Sequence, residues 1–217
     1  MKVALIGATG LVGTQVLKEL VARGHEVVAV ARNTSKIPTD SGLVTAVSAN
    51  ALDAEEVTAT VAGNDVVVST YNPGWTNPNI YAEFLQGAQA IQEGAKRAGV
   101  SRYIIVGGAG SLEVAPGVKL IDTPQFPQEF KAGASAASEY LDILRKENEL
   151  DWTFVSPAIE MHAGTSGTRR GTYRVGHDNP VFDENQRSII SAEDLAVAIV
   201  DEIENPQFIK KRFTAAY

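Results

Sequence analysis

Gly7-Ala8-Thr9-Gly10-Leu11-Val12-Gly13 decides how this 217-residue chain begins to fold. The stretch follows an apolar run, Val3–Ile6, that is typical of a buried strand. Beyond it, apolar residues recur at the spacing of one helix face, at Val16, Leu17, Leu20 and Val21. The glycines therefore lie at a strand-to-helix turn, where the missing side chains allow a tight turn and close packing of helix on strand.

A turn of this kind suits the pyrophosphate of a dinucleotide. Backbone N–H groups can approach the phosphates, and the helix N-terminus presents its partial positive charge to them. The spacing is Gly-x-x-Gly-x-x-Gly, and a glycine-rich turn without a ligand is the alternative interpretation. We expect a bound dinucleotide to contact Gly7, Thr9, Gly10, Leu11, Val12 and Gly13.

Composition and length favour one α/β domain that spans residues 1–217. With 44% hydrophobic and 21% charged residues, the chain alternates strands and helices, and it ends in a less regular tail. This alternation predicts a Rossmann-type fold, a doubly wound parallel sheet. The chain has no cysteine, which excludes disulfides and thiolate chemistry.

Charge and hydropathy restrict the partners. The formal net charge of -7 argues against a nucleic-acid partner, because phosphate backbones attract basic surfaces. No apolar run approaches the ~20 residues that span a bilayer, so we expect no membrane partner. The first strand begins at residue 2 or 3, which predicts no signal peptide and a cytoplasmic protein. The expected partner is a small molecule, and the sequence leaves the oligomeric state open.

The end of the second predicted strand indicates which dinucleotide is preferred. An acidic residue there would accept the ribose hydroxyls of NAD, whereas a basic residue would accommodate the 2′-phosphate of NADP. Arg32 and Asn33 stand at this point, with Ser35 and Lys36 close behind and no carboxylate among them. A guanidinium is suited to phosphate, so we expect NADP(H) in preference to NAD(H). A solvated basic loop is the alternative.

The fourth predicted strand leads into an aromatic loop. Ser69, Thr70 and Tyr71 stand at its carboxyl end, where ligands of doubly wound sheets bind. Tyr71 and Trp75 are costly to leave in a loop unless they cover something. They either pack on the next helix or form the wall of a pocket for a planar ring.

Two later segments are irregular enough to cover a substrate. Residues 111–130 contain Pro116, Pro124 and Pro127 and predict a lid or substrate loop, neither strand nor helix. Residues 160–187 predict a small C-terminal cap on the substrate side. His162 and His177 fall there as loop residues without an identifiable partner, and we expect no metal site.

Several of these motifs make the chain similar to one superfamily. The stretches Gly7–Gly13, Asn72–Trp75, Gly107–Ser111, Ser156–Pro157 and Ser191–Ala196 resemble the short-chain dehydrogenase/reductase superfamily. The similarity is to its atypical NAD(P)H-binding members, named for NADH-flavin reductase or for epimerase/dehydratase activity. The flavin reductase/biliverdin-IXβ reductase is a more distant likeness.

The resemblance implies roles for individual residues. It places Ser111 beside the nicotinamide as the catalytic residue and as part of the substrate pocket with Tyr71 and Trp75; a plain turn serine is the alternative. It also implies an adenine contact from Asn50. The remaining cofactor contacts that it implies are Gly107, Gly108, Ser156 and Pro157.

The same resemblance exposes a departure. The general acid of the superfamily is a tyrosine with a lysine four positions later, but Tyr140 is followed by Leu144, and its helix face predicts a core position. Ala158 stands where the flavin reductase has a histidine. Alcohol oxidation and epimerisation both need a group that moves a proton at the hydroxyl. Without the tyrosine–lysine pair, the sequence therefore gives less support to either activity.

A flavin needs no such tyrosine, because its ring nitrogen can take a proton from solvent. We therefore expect an NADPH-dependent reductase of a flavin (FMN or FAD) or of another planar acceptor. A non-catalytic, NADP(H)-binding redox sensor of the NmrA-like kind fits the missing tyrosine and lysine equally well. A sugar-nucleotide epimerase or dehydratase fits less well.

Overall fold

Ten strands and five α-helices follow one another in the computed structural model, which describes residues 1–217. The strands are β1 (Lys2–Ile6), β2 (Glu26–Ala31), β3 (Val44–Ser48), β4 (Val66–Ser69), β5 (Arg102–Val106), β6 (Glu113–Ala115), β7 (Val118–Lys119), β8 (Asp151–Ser156), β9 (Arg174–Gly176) and β10 (Lys211–Ala216). The helices are α1 (Leu11–Ala22), α2 (Ala54–Val61), α3 (Ile80–Arg97), α4 (Lys131–Leu144) and α5 (Ala192–Glu204).

Eight strands form the central sheet in the order β3-β2-β1-β4-β5-β8-β10-β9. All neighbours in it are parallel except β9, which pairs antiparallel with β10. The order reverses beside β1, so a crevice opens at the carboxyl ends of β1 and β4, where doubly wound sheets bind ligands. The predicted α/β Rossmann-type class is confirmed.

The alternation of side chains along each strand builds two cores. In β1, Val3 and Leu5 join the apolar cluster that contains α1 and α5, while Ala4 and Ile6 join the cluster of α2, α3 and α4. Both faces of the sheet are thus covered, as the continuous apolar runs predict for a parallel sheet. No helix is both long and apolar enough to cross a bilayer.

Two helix starts follow from their capping residues. The Asp53 carboxylate accepts hydrogen bonds from the N–H groups of Glu55 (2.8 Å) and Glu56 (3.2 Å) and begins α2. The Ser191 hydroxyl accepts one from the Asp194 N–H (3.1 Å) and begins α5. Each bond satisfies a backbone donor that has no partner inside the helix, so both residues are structural.

Two expectations about irregular segments were wrong. The segment 111–130 is not free of strands, because β6 and β7 pair antiparallel within it around Gly117, whose φ of 71° suits a tight turn. The tail is regular as well, since Lys211–Ala216 forms β10 inside the main sheet. None of these three strands is apolar throughout; β6 and β7 pair with each other locally, whereas β10 pairs with β8, a distant part of the chain.

Candidate functional site

The glycine turn after β1 is held by backbone hydrogen bonds to β2. Gly7 has a φ of 87°, and its N–H and that of Ala8 both donate to the Val30 carbonyl, at 3.0 and 3.2 Å. A Cβ on Gly13 would lie 2.1 Å from the Gly7 carbonyl oxygen. Thr70 fills the remaining space, with its hydroxyl 3.1 Å from the carbonyl oxygens of Ile6 and Gly7. Glycine is thus required here on steric grounds.

The N-terminus of α1 presents unused donors beside this turn. Its first backbone bond runs from the Thr14 N–H to the Gly10 carbonyl at 2.9 Å, so the N–H groups of Leu11, Val12 and Gly13 have no helical acceptor. Gly10 caps the helix without a side chain, and Thr9, Gly10 and Leu11 are exposed. These donors and the helix dipole form a place for an anion.

Arg32 follows β2 at the same edge of the sheet. Its side chain is exposed, and neither it nor Lys36 takes part in an ion pair. The Asn33 side chain accepts from the Ser35 N–H (2.9 Å) and shapes the loop. Arg32 thus stands at this edge as a cation without an ion-pair partner, in a chain of net charge -7.

Asn50 lies in the turn after β3. Its side-chain oxygen accepts from the Leu52 N–H (3.1 Å), and its own N–H donates to the Glu56 carboxylate (2.8 Å). The residue is exposed, and no hydrogen bond occupies its amide NH₂ group. An adenine contact from Asn50 stays a prediction.

The three residues predicted after β4 differ in their surroundings. Ser69 is fully buried, and its hydroxyl oxygen accepts from the Tyr71 N–H at 3.4 Å. Thr70 supports the glycine turn as described. Tyr71 is half-buried against α3, where a Cβ on Gly87 would lie 2.3 Å from its ring. Burial raises the pKa of the Tyr71 phenol, the Glu83 carboxylate adds to this, and the nearby Arg32 guanidinium opposes it. Packing on the next helix, one of the two alternatives for this ring, is therefore what the structure contains.

Trp75 behaves differently, because it remains exposed. Its exposed fraction is 53%, and its ring lies 5.3 Å from that of Phe130, which is 42% exposed, with 82° between the planes. An aromatic side chain buries 150–250 Å² when covered, so leaving half of a tryptophan in water forgoes roughly 2 kcal/mol. Phe130 becomes notable only as the partner of Trp75, a contact between distant residues that no local sequence pattern indicates.

Ser111 is buried below the loop that follows β5. It is 4% exposed, and its hydroxyl oxygen accepts a hydrogen bond from Arg212 (2.9 Å) on β10. Arg212 in turn donates from Nε to Asp178 at 3.0 Å. A guanidinium only donates, so the Ser111 proton is left free, and no protein acceptor takes it. A contact between Ser111 and an acceptor stays a prediction; its anchoring by Arg212 was missed, since the two are 101 residues apart.

Gly107 and Gly108 lie between β5 and Ser111. A Cβ on Gly107 would fall 1.9 Å from the Phe154 ring, so glycine is needed here for the loop to pack closely against β8. Gly108 has looser surroundings, with the nearest atom 3.6 Å from a Cβ. Ser156 and Pro157 end β8 and are buried, and the Ser156 hydroxyl has no hydrogen-bond partner.

Tyr140 of α4 is part of the core. It is fully buried and donates to Gln92 (2.9 Å), with Tyr103 3.3 Å away. Burial raises the pKa of its phenol well above the usual value, and Tyr103 adds to the shift. Tyr140 therefore does not reach the edge of the sheet where a ligand would bind.

The histidines of the predicted cap serve local structure. His162 accepts the Gly164 N–H at 3.0 Å and begins a short 3₁₀ turn, and His177 packs edge-on against Phe208. No group of three or more histidine, aspartate or glutamate side chains could hold a metal ion.

A dinucleotide fits the residues at this edge. Gly7 and Gly13 leave no room for a side chain, Gly10 opens to solvent beside three free N–H donors, and Arg32 stands at the end of β2. This is the arrangement expected of a nucleotide-binding Rossmann protein. The chain belongs to the NAD(P)H-binding family, since residues 7–206 match the family model of that description.

Relatives of the chain cover its whole length. The uncharacterized protein YwnB of Bacillus subtilis is 36% identical over 216 residues, 99% of this chain and 97% of that protein. A proposed epimerase from Bacteroides thetaiotaomicron is 41% identical, with a TM-score of 0.92 over 100% of this chain and 96% of that one. SP1627, a proposed NADH-flavin reductase from Streptococcus pneumoniae, is 33% identical, with a TM-score of 0.86 over 100% and 99% of the two chains.

Proposed function

We propose that this protein is an NADPH-dependent reductase that passes a hydride to a flavin or another planar acceptor. The observation that carries the proposal is the burial of Tyr140, the tyrosine of the helix in which the superfamily keeps its general acid. With its phenol bonded to Gln92 inside the core, it cannot give a proton to a substrate at the edge of the sheet. This favours an acceptor that takes its proton from water.

A flavin meets this requirement. One ring nitrogen accepts the hydride and another takes a proton from solvent, so that NADPH, one proton and oxidised flavin give NADP⁺ and the reduced flavin. A sugar-nucleotide epimerase requires a protein group that moves a proton at a hydroxyl, and the buried Tyr140 cannot serve as one, which disfavours the activity in the name of the Bacteroides relative. The name of SP1627 supports a flavin as the acceptor.

The chain contributes binding and orientation. When bound, the dinucleotide supplies the hydride from its nicotinamide ring. The N–H groups at the start of α1 would hold its pyrophosphate, and Arg32 would hold the 2′-phosphate of NADPH. Trp75 would form part of the wall against which the acceptor lies, and the Ser111 hydroxyl would donate a hydrogen bond to an acceptor oxygen. The expected place of action is the cytoplasm.

Turnover tests the proposal directly. We expect the purified protein to oxidise NADPH, followed by loss of absorbance at 340 nm (a general property of the reduced nicotinamide), several-fold faster when FMN is added. Tight NADPH binding without turnover on FMN, FAD or quinones would contradict the reductase and favour a redox sensor that binds the dinucleotide without chemistry.

Arg32 decides the choice of dinucleotide in this proposal. Replacing it with alanine removes the cation for the 2′-phosphate, so we expect the Kd for NADPH to rise on the order of 10- to 100-fold, as loss of a charge-assisted hydrogen bond predicts. The Kd for NADH should change little. Lys18→Ala is the control for net charge, because it removes a cation at another place, on α1. Equal weakening of NADPH and NADH binding by Arg32→Ala would show that Arg32 does not bind the 2′-phosphate.

A further inference from the structure

Trp75 and Phe130 come from the two loops that flank the candidate site. Trp75 follows the carboxyl end of β4, and Phe130 immediately precedes α4, which starts at the same edge of the sheet. The loop of Trp75 is continuous with Thr70, whose hydroxyl supports the glycine turn. The aromatic pair thus lies at the carboxyl edge of the sheet, in the loops that follow β4 and β5.

Gly133 sets the position of the indole. This residue of α4 is buried, and a Cβ on it would lie 2.8 Å from the Trp75 ring and 2.9 Å from the end of the Ile80 side chain. The ring edge is therefore seated against the helix backbone, while 53% of Trp75 remains exposed. An alanine at this position would push the indole off its seat or shift α4.

The two rings are nearly perpendicular. At 82° between planes, a flat ring that stacks on one of them meets the other edge-on. Offset stacking and edge-to-face contact are the two arrangements that aromatic rings prefer. A corner of this kind favours a flat heteroaromatic ring over a flexible or saturated substrate.

We infer that Trp75, Phe130 and Gly133 form the stacking site for the acceptor, and that its ligand is a planar conjugated ring of the isoalloxazine or quinone class. The inference rests on the proposed reductase function and adds two specificity-determining residues, Phe130 and Gly133. Trp75 and Phe130 contact the ring, whereas Gly133 acts through Trp75 as a positioning residue.

Fluorescence makes the site observable apart from turnover. The chain has two tryptophans, and Trp152 is 3% exposed with an unbonded indole N–H, so Trp152→Phe leaves Trp75 as the single reporter. Titration of this variant with FMN should quench the Trp75 emission with saturation. Gly133→Ala and Phe130→Ala should each raise the FMN dissociation constant on the order of tenfold, as expected for residues at the centre of a contact. The NADPH dissociation constant should stay unchanged.

Tyr81→Ala provides the control for packing of α3 on α4, because Tyr81 is 40% exposed on α3, donates a hydrogen bond to Glu139 of α4 and lies outside the aromatic pair. Phe130 is exposed, so its replacement tests the site even if Gly133→Ala fails to fold. Unchanged Trp75 emission at FMN concentrations that saturate NADPH oxidation would overturn the stacking site while the reductase stands. If Tyr81→Ala weakened the quenching by FMN as much as Phe130→Ala and Gly133→Ala do, the stacking site would also be overturned. Quenching without any NADPH oxidation would uphold the stacking site and refute the reductase.

Discussion

Gly13→Ala is expected to destabilise the protein by about 3 kcal/mol or more and to abolish dinucleotide binding. The new Cβ would lie 2.1 Å from the Gly7 carbonyl oxygen and 2.7 Å from the Thr70 hydroxyl. The turn cannot yield easily, since Gly7 and Ala8 are both bonded to Val30 and the Gly7 carbonyl contacts Thr70. Thermal unfolding should begin roughly 10 °C lower, at about 2–4 °C per kcal/mol for a chain of this size.

Gly10→Ala separates stability from binding at the same turn. The nearest atom to a Cβ on Gly10 is 3.5 Å away, and its φ of -74° suits any residue. We expect the melting temperature to stay close to that of the parent, whereas the Kd for NADPH should rise at least about tenfold, because the methyl group occupies the approach of the pyrophosphate. A Gly13→Ala variant as stable as Gly10→Ala would contradict the steric account. Unchanged NADPH affinity in Gly10→Ala would contradict the placement of the pyrophosphate.

Glu202→Ala is the second change with a large expected effect, about 4 kcal/mol of stability. Glu202 is buried on α5, and its carboxylate pairs with Arg102 of β5 at 2.8 Å. It also accepts from the N–H groups of Gln207 (2.8 Å) and Phe208 (3.0 Å). Desolvation lowers the pKa of Arg102 below its usual value, and Glu202 is the partner that compensates it. Without the carboxylate, a buried cation and two backbone donors lose their acceptor.

The measurement is urea unfolding, in which the midpoint should fall with little change of slope. Arg102→Met should cost less, because the Glu202 carboxylate would keep its two backbone donors. Glu26→Ala serves as the control, since Glu26 is an exposed partner of Lys2 at 4.0 Å and such pairs contribute about 0–1 kcal/mol. A loss from Glu202→Ala no larger than that from Glu26→Ala would show that the buried pair does not stabilise the fold.

Short-range sequence patterns predicted the features whose residues lie close together in the chain. The strand-turn-helix of the glycine stretch, the caps Asp53 and Ser191 and the core position of Tyr140 all depend on residues within a few positions of one another. Their geometry is set by backbone sterics, capping bonds and the helical period, which are readable from a short window. Arg32 at the end of β2 followed from the same reasoning, and its role toward NADP stays a prediction.

The remaining features depend on contacts between residues that are far apart in the chain, which no short-range pattern predicts. The pairing of β10 with β8 and the bond from Arg212 to Ser111 join segments that no short window contains. The contact of Trp75 with Phe130 and the seat of Trp75 on Gly133 depend on how α3 and α4 pack.

By itself, then, the sequence determined the Rossmann-type class, the dinucleotide turn and the strand ends around which a ligand would gather. Only the tertiary structure decided which aromatic side chains are covered, with Tyr71 packed on Gly87 and Trp75 left exposed beside Phe130. It also decided that Ser111 is held by Arg212 inside the protein. The physical reason is that exposure and hydrogen-bond partners depend on which distant elements share a space, and packing settles this only once the whole sheet has formed.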